Sequence, residues 1–309
     1  MPAMTTQALV LTASPAAPVL EGTLIAAVAP LLAPAQLIDQ HWLAEGVAWQ
    51  GLVAVSAGEA APLRARLAAA LAPRPIDINL VPAEPTGRRK KLLVADMEST
   101  IIEQECLDEL AARVGLGDRI SEITSRAMRG ELAFEAALKQ RVALLQGLEA
   151  ATLEDIYASR VTLMPGAATL VATMRRHGAH CALVSGGFSF FSERIAARLH
   201  FDSQQANRLE IVAGKLTGSV RQPILGREAK LASLNRLTRE LQLKQSDTLA
   251  VGDGANDLAM LQAAGLGVAF RAKPIVAAAA AARIEHGDLT ALLYLQGYAR
   301  DEFACDRAG

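Results

Sequence analysis

Cysteine is scarce in this chain. Only three of its 309 residues are cysteines (Cys106, Cys181 and Cys305), and no two of them form a CxxC pair. Three cysteines are too few for a disulfide framework, and such sparse usage fits a reducing compartment. Cys106 and Cys181 have apolar sequence neighbours, which predicts buried and inert thiols.

The chain also lacks an excess of either charge. Its 31 lysines and arginines nearly balance 32 aspartates and glutamates, so the net charge is −1. This balance argues against nucleic acid or an anionic membrane as the main partner. The basic run at 88–91 is therefore interpreted as a solvated entry to a strand rather than a nucleic-acid patch.

Long apolar runs are missing as well. No run approaches the roughly 18 residues of a membrane span, and the N-terminus lacks the positive charge that precedes a signal-peptide core. We therefore expect a soluble, cytoplasmic protein. A content of 51% hydrophobic residues still allows one large core or two smaller ones.

Residues 1–84 mix predicted strands with predicted helices. These elements are expected at 7–11, 20–32, 51–55, 61–71 and 77–82. The mixture predicts a small α+β module, followed by a linker at 82–87. His41 has no evident acidic or cysteine partner, so we expect a structural or regulatory role for this segment.

The stretch around which the chain is organised begins at residue 92. Leu92–Ala95 has the pattern of a strand buried on both faces of a parallel sheet, and it ends at Asp96, Met97 and Glu98. A turn after the strand would bring Asp96 and Glu98 around one point. Alternatively, this is a polar helix start, in which Ser99 or Thr100 caps the next helix.

Two further predicted strands end in polar motifs. The strand at 180–184 precedes Ser185, Gly186 and Gly187. This motif is interpreted either as a phosphate cradle or as an ordinary strand–helix turn. The strand at 248–251 precedes a loop that offers hard oxygen ligands, with a solvated turn as the alternative. The polar residues of this loop are Asp253, Asn256 and Asp257.

Residues 103–163 form a predicted helical insert with glycine stops. Arg141 lies on the apolar stripe of Phe134 and Leu138 rather than on the polar face. Either the guanidinium of this inward arginine pairs with a carboxylate, or its aliphatic stem lies along the apolar surface and its charged end reaches solvent.

The three motifs are expected at one edge of the sheet, since parallel strands share their carboxyl ends. Together with Lys230 they supply a nucleophile, a phosphate clamp, a cation and a divalent-metal site. Phosphoryl transfer requires these parts, so the sequence predicts an enzyme acting on a phosphate ester.

In these motifs the chain resembles the haloacid-dehalogenase-like phosphatases, and within them the phosphoserine phosphatases. The resemblance covers roughly residues 90–295, including the insert. It implies a Rossmann-like parallel sheet with a helical cap at about 103–163 inside a domain at 85–309. It also implies, more loosely, an ACT-like α+β domain at 1–84.

The resemblance further implies Mg²⁺-dependent hydrolysis of O-phospho-L-serine, the last step of L-serine biosynthesis. Asp96 would attack phosphorus, Glu98 would act as acid and base, and Lys230 would hold the phosphoryl group with Ser185 and Gly186. The metal would be bound by Asp96, the carbonyl of Glu98, Asp253 and Asp257. Substrate contacts would come from Glu105, Met128, Phe134, Arg141 and Asn256.

One position departs from the family pattern, which has an aspartate where this chain has Glu98. The extra methylene moves the acid, and a displacement near 1 Å can cost ~10²-fold in rate. Two alternatives therefore stay open: a phosphatase or phosphotransferase for another small phosphomonoester, and a catalytically impaired sensor. The oligomeric state is also open, with a homodimer as one arrangement.

Overall fold

The structure is a computed structural model that describes residues 4–56, 58–83, 85–128 and 131–304. Its strands are β1 (Met4–Thr12), β2 (Gln36–Ala44), β3 (Ala48–Ser56), β4 (Asp77–Pro82), β5 (Leu92–Ala95), β6 (His180–Phe188), β7 (Ser203–Asn207), β8 (Leu209–Val212), β9 (Lys215–Val220), β10 (Thr248–Gly252), β11 (Leu266–Phe270) and β12 (Ala282–Ile284). Its helices are α1 (Gly22–Val28), α2 (Ala60–Leu71), α3 (Pro85–Arg88), α4 (Cys106–Arg113), α5 (Gly117–Met128), α6 (Phe134–Ala143), α7 (Ala151–Arg160), α8 (Ala167–Arg176), α9 (Ser189–Leu199), α10 (Ala229–Glu240), α11 (Leu258–Ala263), α12 (Pro274–Ala279) and α13 (Ala291–Leu295). None of the helices in these ranges is long and apolar enough to cross a bilayer.

The centre of the molecule is a six-stranded sheet in the order β12-β11-β10-β5-β6-β7. Every neighbouring pair is parallel, which confirms the predicted sheet. All residues of β5, β10 and β11 are buried, because helices cover both faces of the sheet. Strand β5 lies between β10 and β6, so the three strands that precede the polar motifs are neighbours.

The N-terminal segment forms an antiparallel sheet in the order β2-β3-β1-β4. Helices α1 and α2 cover one face and bury Leu24, Leu63 and Leu67 in a small core of their own. The opposite face contributes Val10 and Val81 to the large core that also contains Leu93 and Ala95 of β5. The two sheets therefore share one apolar interface.

Strand β2 is absent from the sequence prediction. It is an edge strand whose residues are mostly exposed, so it lacks the alternating apolar pattern that marks a half-buried strand. It carries His41, whose Nδ1 lies 3.9 Å from Oδ2 of Asp39 on the exposed surface. The expectation that His41 has no acidic neighbour is therefore wrong.

Two side chains of β4 fix the N-terminal sheet to the edge of the central sheet. Oδ1 of Asp77 accepts from the Glu285 amide at 2.8 Å, and Oδ2 accepts from the Gly287 amide at 2.8 Å. Asn79 both donates to the carbonyl of Arg283 and accepts from its amide, each at 2.9 Å. Burial raises the pKa of Asp77 even though these amide donors oppose the shift.

One expectation about the start of the central domain is wrong. Arg88 is not a solvated entry residue, since it donates to Oε1 of Gln50 at 2.5 Å and to the carbonyl of Leu295 at 3.1 Å. After α13 the described chain packs against the domain: Tyr298 is 1% exposed, and the Arg89 guanidinium lies 4.1 Å from its ring centroid. Cys305 lies outside the described residues.

Candidate active site

The candidate site lies at the carboxyl edge of three adjacent strands. In the register of the sheet, Ala95 pairs with Leu183 on one side and with Val251 on the other. The next residues of each strand therefore meet at one edge, and the amide of Asp96 donates to the carbonyl of Val251 at 3.0 Å.

Asp96 is buried and oriented through one of its oxygens. Its Oδ1 accepts from the Met97 amide at 2.8 Å and lies 2.7 Å from Nζ of Lys230. Its Oδ2 has no hydrogen-bond partner among the described residues, so this oxygen is free to attack or to bind a ligand. Burial and the neighbouring Asp257 charge raise the pKa of Asp96, and the Lys230 charge opposes them.

Lys230 enters the site from the first turn of α10. Its Nζ lies 2.5 Å from Oδ1 of Asp257, so one ammonium bridges two carboxylates. Burial alone would lower the pKa of Lys230, but the charges of Asp96 and Asp257 outweigh it and raise the pKa. The lysine is therefore a permanent cation at this site.

Three carboxylates form the acidic part of the site. Asp96, Asp253 and Asp257 each offer an oxygen within 4.8 Å of the others. The Gly254 amide donates a hydrogen bond of 2.9 Å to Oδ2 of Asp257 and fixes that oxygen. Burial, together with the charge of Asp257, raises the pKa of Asp253 to about 6. An all-oxygen set with more negative than positive charge fits a hard divalent cation.

The Ser185–Gly187 motif lies within β6 rather than after it. The predicted strand end at 184 is too early: β6 continues to Phe188, and α9 begins at the next residue. Ser185 is 2% exposed, and its Oγ accepts from the Gly187 amide at 2.9 Å.

Asn207 is a site residue that sequence reasoning missed. It is buried at the end of β7, where Nδ2 donates to the carbonyl of Gly186 at 2.8 Å and Oδ1 accepts from the Leu225 amide at 2.8 Å. It thus fixes the orientation of a cradle peptide. An isolated asparagine in a polar segment gives no sequence signal of this contact.

Glu98 lies between α4 and the second glycine of the cradle. Its Oε1 accepts from the amide of Cys106, the first residue of α4, at 2.9 Å. Burial, with the charge of Glu105 as a second cause, raises the pKa of Glu98 to about 7. A carboxyl with this pKa exchanges a proton near neutral pH, as a general acid and base must.

Asn256 is half-buried in the loop after β10, where its side chain folds back over Gly254.

Glu105 and Ser99 form a pair at the start of the cap. The Ser99 hydroxyl donates to Oε1 of Glu105 at 2.8 Å, and Ser99 has a left-handed backbone with φ of 52°. Glu105 is exposed at the N-cap of α4, so its carboxylate is accessible to a ligand.

Helix α6 brings two further predicted residues to the site. The Phe134 ring covers Gly186: its Cζ lies 3.4 Å from where a Cβ on that glycine would be. Arg141 is half-buried and donates to the Ala137 carbonyl and to Oγ1 of Thr124, each over a long 3.4 Å. It forms no ion pair with a carboxylate in the described part of the chain. The side chain of Met128 lies outside the described residues.

Burial lowers the pKa of Arg141, while the charges of Asp108, Glu98 and Glu105 oppose that shift. The guanidinium therefore faces the acidic side of the site, and no carboxylate of the described residues is paired with it. This arrangement leaves it able to bind a carboxylate on a ligand.

Comparison with known proteins identifies the family. The model of the haloacid dehalogenase-like hydrolases matches residues 93–262, which include all but the first residue of β5, the cap and the loop after β10. The chain belongs to this family. Metal dependence is typical of the family, and the acid trio of Asp96, Asp253 and Asp257 is where such an ion would be expected.

Individual relatives resemble the chain over most of its length. It is 45% identical over 249 residues to a phosphoserine phosphatase of Streptomyces coelicolor, covering 81% of this chain and 60% of that protein. It is 43% identical over 204 residues to a phosphoserine phosphatase of Lactococcus lactis, covering 66% of this chain and 94% of that protein. A HAD family hydrolase from Salmonella enterica serovar Typhi shares the fold at a TM-score of 0.82 and 28% identity, covering 96% of this chain and 99% of that one.

Proposed function

We propose that the protein hydrolyses O-phospho-L-serine to L-serine and phosphate. The observation that carries this proposal is the buried Lys230, which bridges Asp96 and Asp257 at the edge where the phosphate cradle also lies. The names of the Streptomyces coelicolor and Lactococcus lactis relatives support phosphoserine as the substrate. The reaction would complete the phosphorylated route to L-serine.

The proposed first step is attack of an Asp96 oxygen on phosphorus. The P–O bond to serine breaks, Glu98 gives its proton to the leaving serine oxygen, and an aspartyl-phosphate remains. In the second step Glu98 takes a proton from water, which attacks the same phosphorus and releases phosphate from Asp96. Lys230, Ser185 and the backbone at Gly186 would bind the phosphoryl oxygens in both steps.

We propose Mg²⁺ as the cofactor. Asp96, Asp253, Asp257 and the backbone carbonyl of Glu98 would hold it, and the crowded carboxylates support this assignment. When bound, the ion neutralises phosphoryl charge. Asn256 would contribute a polar contact to the substrate.

The cap would recognise the amino-acid part of the substrate. Glu105 would pair with the ammonium group and Arg141 with the carboxylate, in a bidentate contact that lysine could not reproduce. Phe134, with Met128, would exclude water from the closed site. No carboxylate among the described residues forms an ion pair with Arg141, and this supports its assignment to a ligand.

We also propose a division into a module at 1–84 and a phosphatase domain at 85–309, with the cap at about 103–163. The α+β module resembles an ACT-like domain and would be structural or regulatory. The substrate is a small molecule, the proposed location is the cytoplasm, and a homodimer is the proposed assembly. Size-exclusion chromatography with light scattering tests the last point.

Phosphate release from a substrate panel tests the proposed function. Purified protein with Mg²⁺ is expected to prefer phosphoserine to glycerol phosphate, phosphoethanolamine and p-nitrophenyl phosphate, and to lose activity in EDTA. Preference for a phosphomonoester without a carboxylate would contradict the proposed substrate. Absence of phosphate release from every compound would contradict an enzymatic role.

A further inference from the structure

We infer that Gly187 is a positioning residue whose missing side chain creates the space that Glu98 occupies. The inference rests on the proposed function, in which Glu98 exchanges protons with the substrate. The space at Gly187 allows this chain to carry a glutamate where the family pattern has the shorter aspartate.

The space at Gly187 is filled by the Glu98 carboxyl group. A Cβ on Gly187 would lie 2.6 Å from Oε2, 2.9 Å from Cδ and 3.0 Å from Oε1 of Glu98. Ordinary van der Waals contact starts at 3.4 Å, so even one methyl group does not fit beside the carboxyl in its present position. Apart from the two chain neighbours of Gly187, no other atom of the described residues is nearer to this point.

Space, rather than backbone conformation, is what requires glycine here. Gly187 is not among the residues with positive φ, so alanine could adopt its backbone angles without strain. The obstructing atoms are the far end of a flexible side chain. An alanine would therefore be accommodated by moving the Glu98 carboxyl, and the fold would be kept.

The other side of the carboxyl is fixed by α4. The Cys106 amide donates to Oε1 at 2.9 Å, so Glu98 is held between this donor and the surface of Gly187. A carboxyl pushed away from residue 187 would lose this alignment. The neighbouring Gly186 has a different contact, because the described residue that a Cβ there would meet is Phe134, whose ring lies 3.4 Å away.

A second substitution at Glu98 distinguishes loss of the Gly187–Glu98 contact from general damage to the phosphate cradle. A displacement of about 1 Å costs ~10²-fold in rate, so Gly187→Ala is expected to lower kcat for phosphoserine by that order. In a Glu98→Asp background the carboxyl is shorter by one methylene and clears the new methyl group. There, Gly187→Ala is expected to cost less than about 5-fold, since the carboxyl is no longer displaced.

The experiment compares four proteins: wild type, Gly187→Ala, Glu98→Asp and the double variant. Steady-state kcat and KM are measured on phosphoserine and on p-nitrophenyl phosphate, whose good leaving group needs less help from an acid. Gly22→Ala serves as a control, since a Cβ there meets nothing within 4 Å. Rescue of kcat by Glu98→Asp on phosphoserine, with KM little changed, would support the inference.

Equal losses from Gly187→Ala in both backgrounds would overturn it. Equal losses of kcat/KM on both substrates would do the same, because kcat/KM reports the departure of the leaving group and not the later attack of water. Urea unfolding of the same four proteins gives a readout that does not depend on catalysis. Because the two residues are in direct contact, the shifts of the urea midpoint caused by the two substitutions are expected not to add in the double variant. Additive shifts would also overturn the inference. If wild type released no phosphate, the proposed function would fail while the unfolding cycle still tested the contact.

Discussion

The Nζ of Lys230 lies 2.7 Å from Oδ1 of Asp96, and both side chains are almost fully buried. An ammonium at this distance lowers the charge around the nucleophile, so an anionic phosphate ester can approach a carboxylate. The same nitrogen bonds to Asp257, which prevents Lys230 from turning away. The ion pair thus orients the nucleophile and attracts the substrate.

The first prediction concerns this nucleophile. Asp96→Asn should remain folded, because the amide oxygen can still accept from Met97 and Lys230, but turnover of phosphoserine should be abolished. Acid quenching of wild type with ³²P-labelled substrate should trap label on the protein, and the variant should trap none. Asp155→Asn, an exposed change on α7, is the control. Substantial turnover by Asp96→Asn would remove this residue from its proposed role.

The second prediction concerns metal binding without reference to catalysis. Mg²⁺ at about 100 times its Kd should stabilise the folded protein by about 2.7 kcal/mol, since the unfolded chain does not assemble the three carboxylates. Asp253→Asn should reduce this gain strongly. Urea unfolding in EDTA and in Mg²⁺ at matched ionic strength measures it. Equal stabilisation of wild type and variant would mean that the ion binds elsewhere.

The third prediction concerns substrate recognition by Arg141. Arg141→Ala should weaken kcat/KM for phosphoserine by about 2–5 kcal/mol, the cost of removing one partner of a buried charge pair. Hydrolysis of p-nitrophenyl phosphate, which has no carboxylate, should change much less. Lys139→Ala is the matched control on the same helix, because Lys139 is exposed and, among the residues that the structure describes, pairs only with Glu135. Equal losses on both substrates would make Arg141 structural.

The central sheet could be predicted because its strands are short apolar runs that end abruptly in polar residues. Leu92–Ala95 is buried at every position, and its end places Asp96 at the sheet edge as expected. Strands β7 and β12 escaped prediction: β7 is polar, and β12 has only three residues beside an alanine-rich helix. Their positions depend on neighbouring strands, and not on their own pattern.

The contacts between site residues were less predictable than the residues themselves. The sequence singled out Arg141 as an inward arginine, but only the three-dimensional structure shows that no described carboxylate forms an ion pair with it. Asn207 is separated from Gly186 by about one strand–helix unit, and no local pattern connects them. The same holds for Gly187 and Glu98, whose contact depends on the register between β5 and β6.

The fourth prediction concerns pH in the absence of metal. The pKa of Glu98 is raised to about 7 and that of Asp253 to about 6, so the folded state binds protons more tightly than the unfolded state. The contribution of these two groups to stability in EDTA should therefore be complete below about pH 4, under the ordinary pKa of either carboxyl, and be lost as pH rises through 6 and 7, by about 3 kcal/mol from Glu98. Glu98→Gln should flatten this decline. A decline as steep in the variant as in wild type would assign it to other groups.

The fifth prediction concerns Glu98 as the proton donor. The leaving serine alkoxide is a strong base, and the carboxyl held by the Cys106 amide is the one placed to protonate it. Glu98→Gln keeps the hydrogen bond but has no proton to exchange, so phosphoserine hydrolysis should slow by roughly 10²–10⁴-fold. Glu98→Asp should stay active, since it retains the acid. Burst kinetics with p-nitrophenyl phosphate should show a first step that depends less on the residue, because p-nitrophenolate leaves without protonation. A wild-type rate for Glu98→Gln on phosphoserine would require another donor.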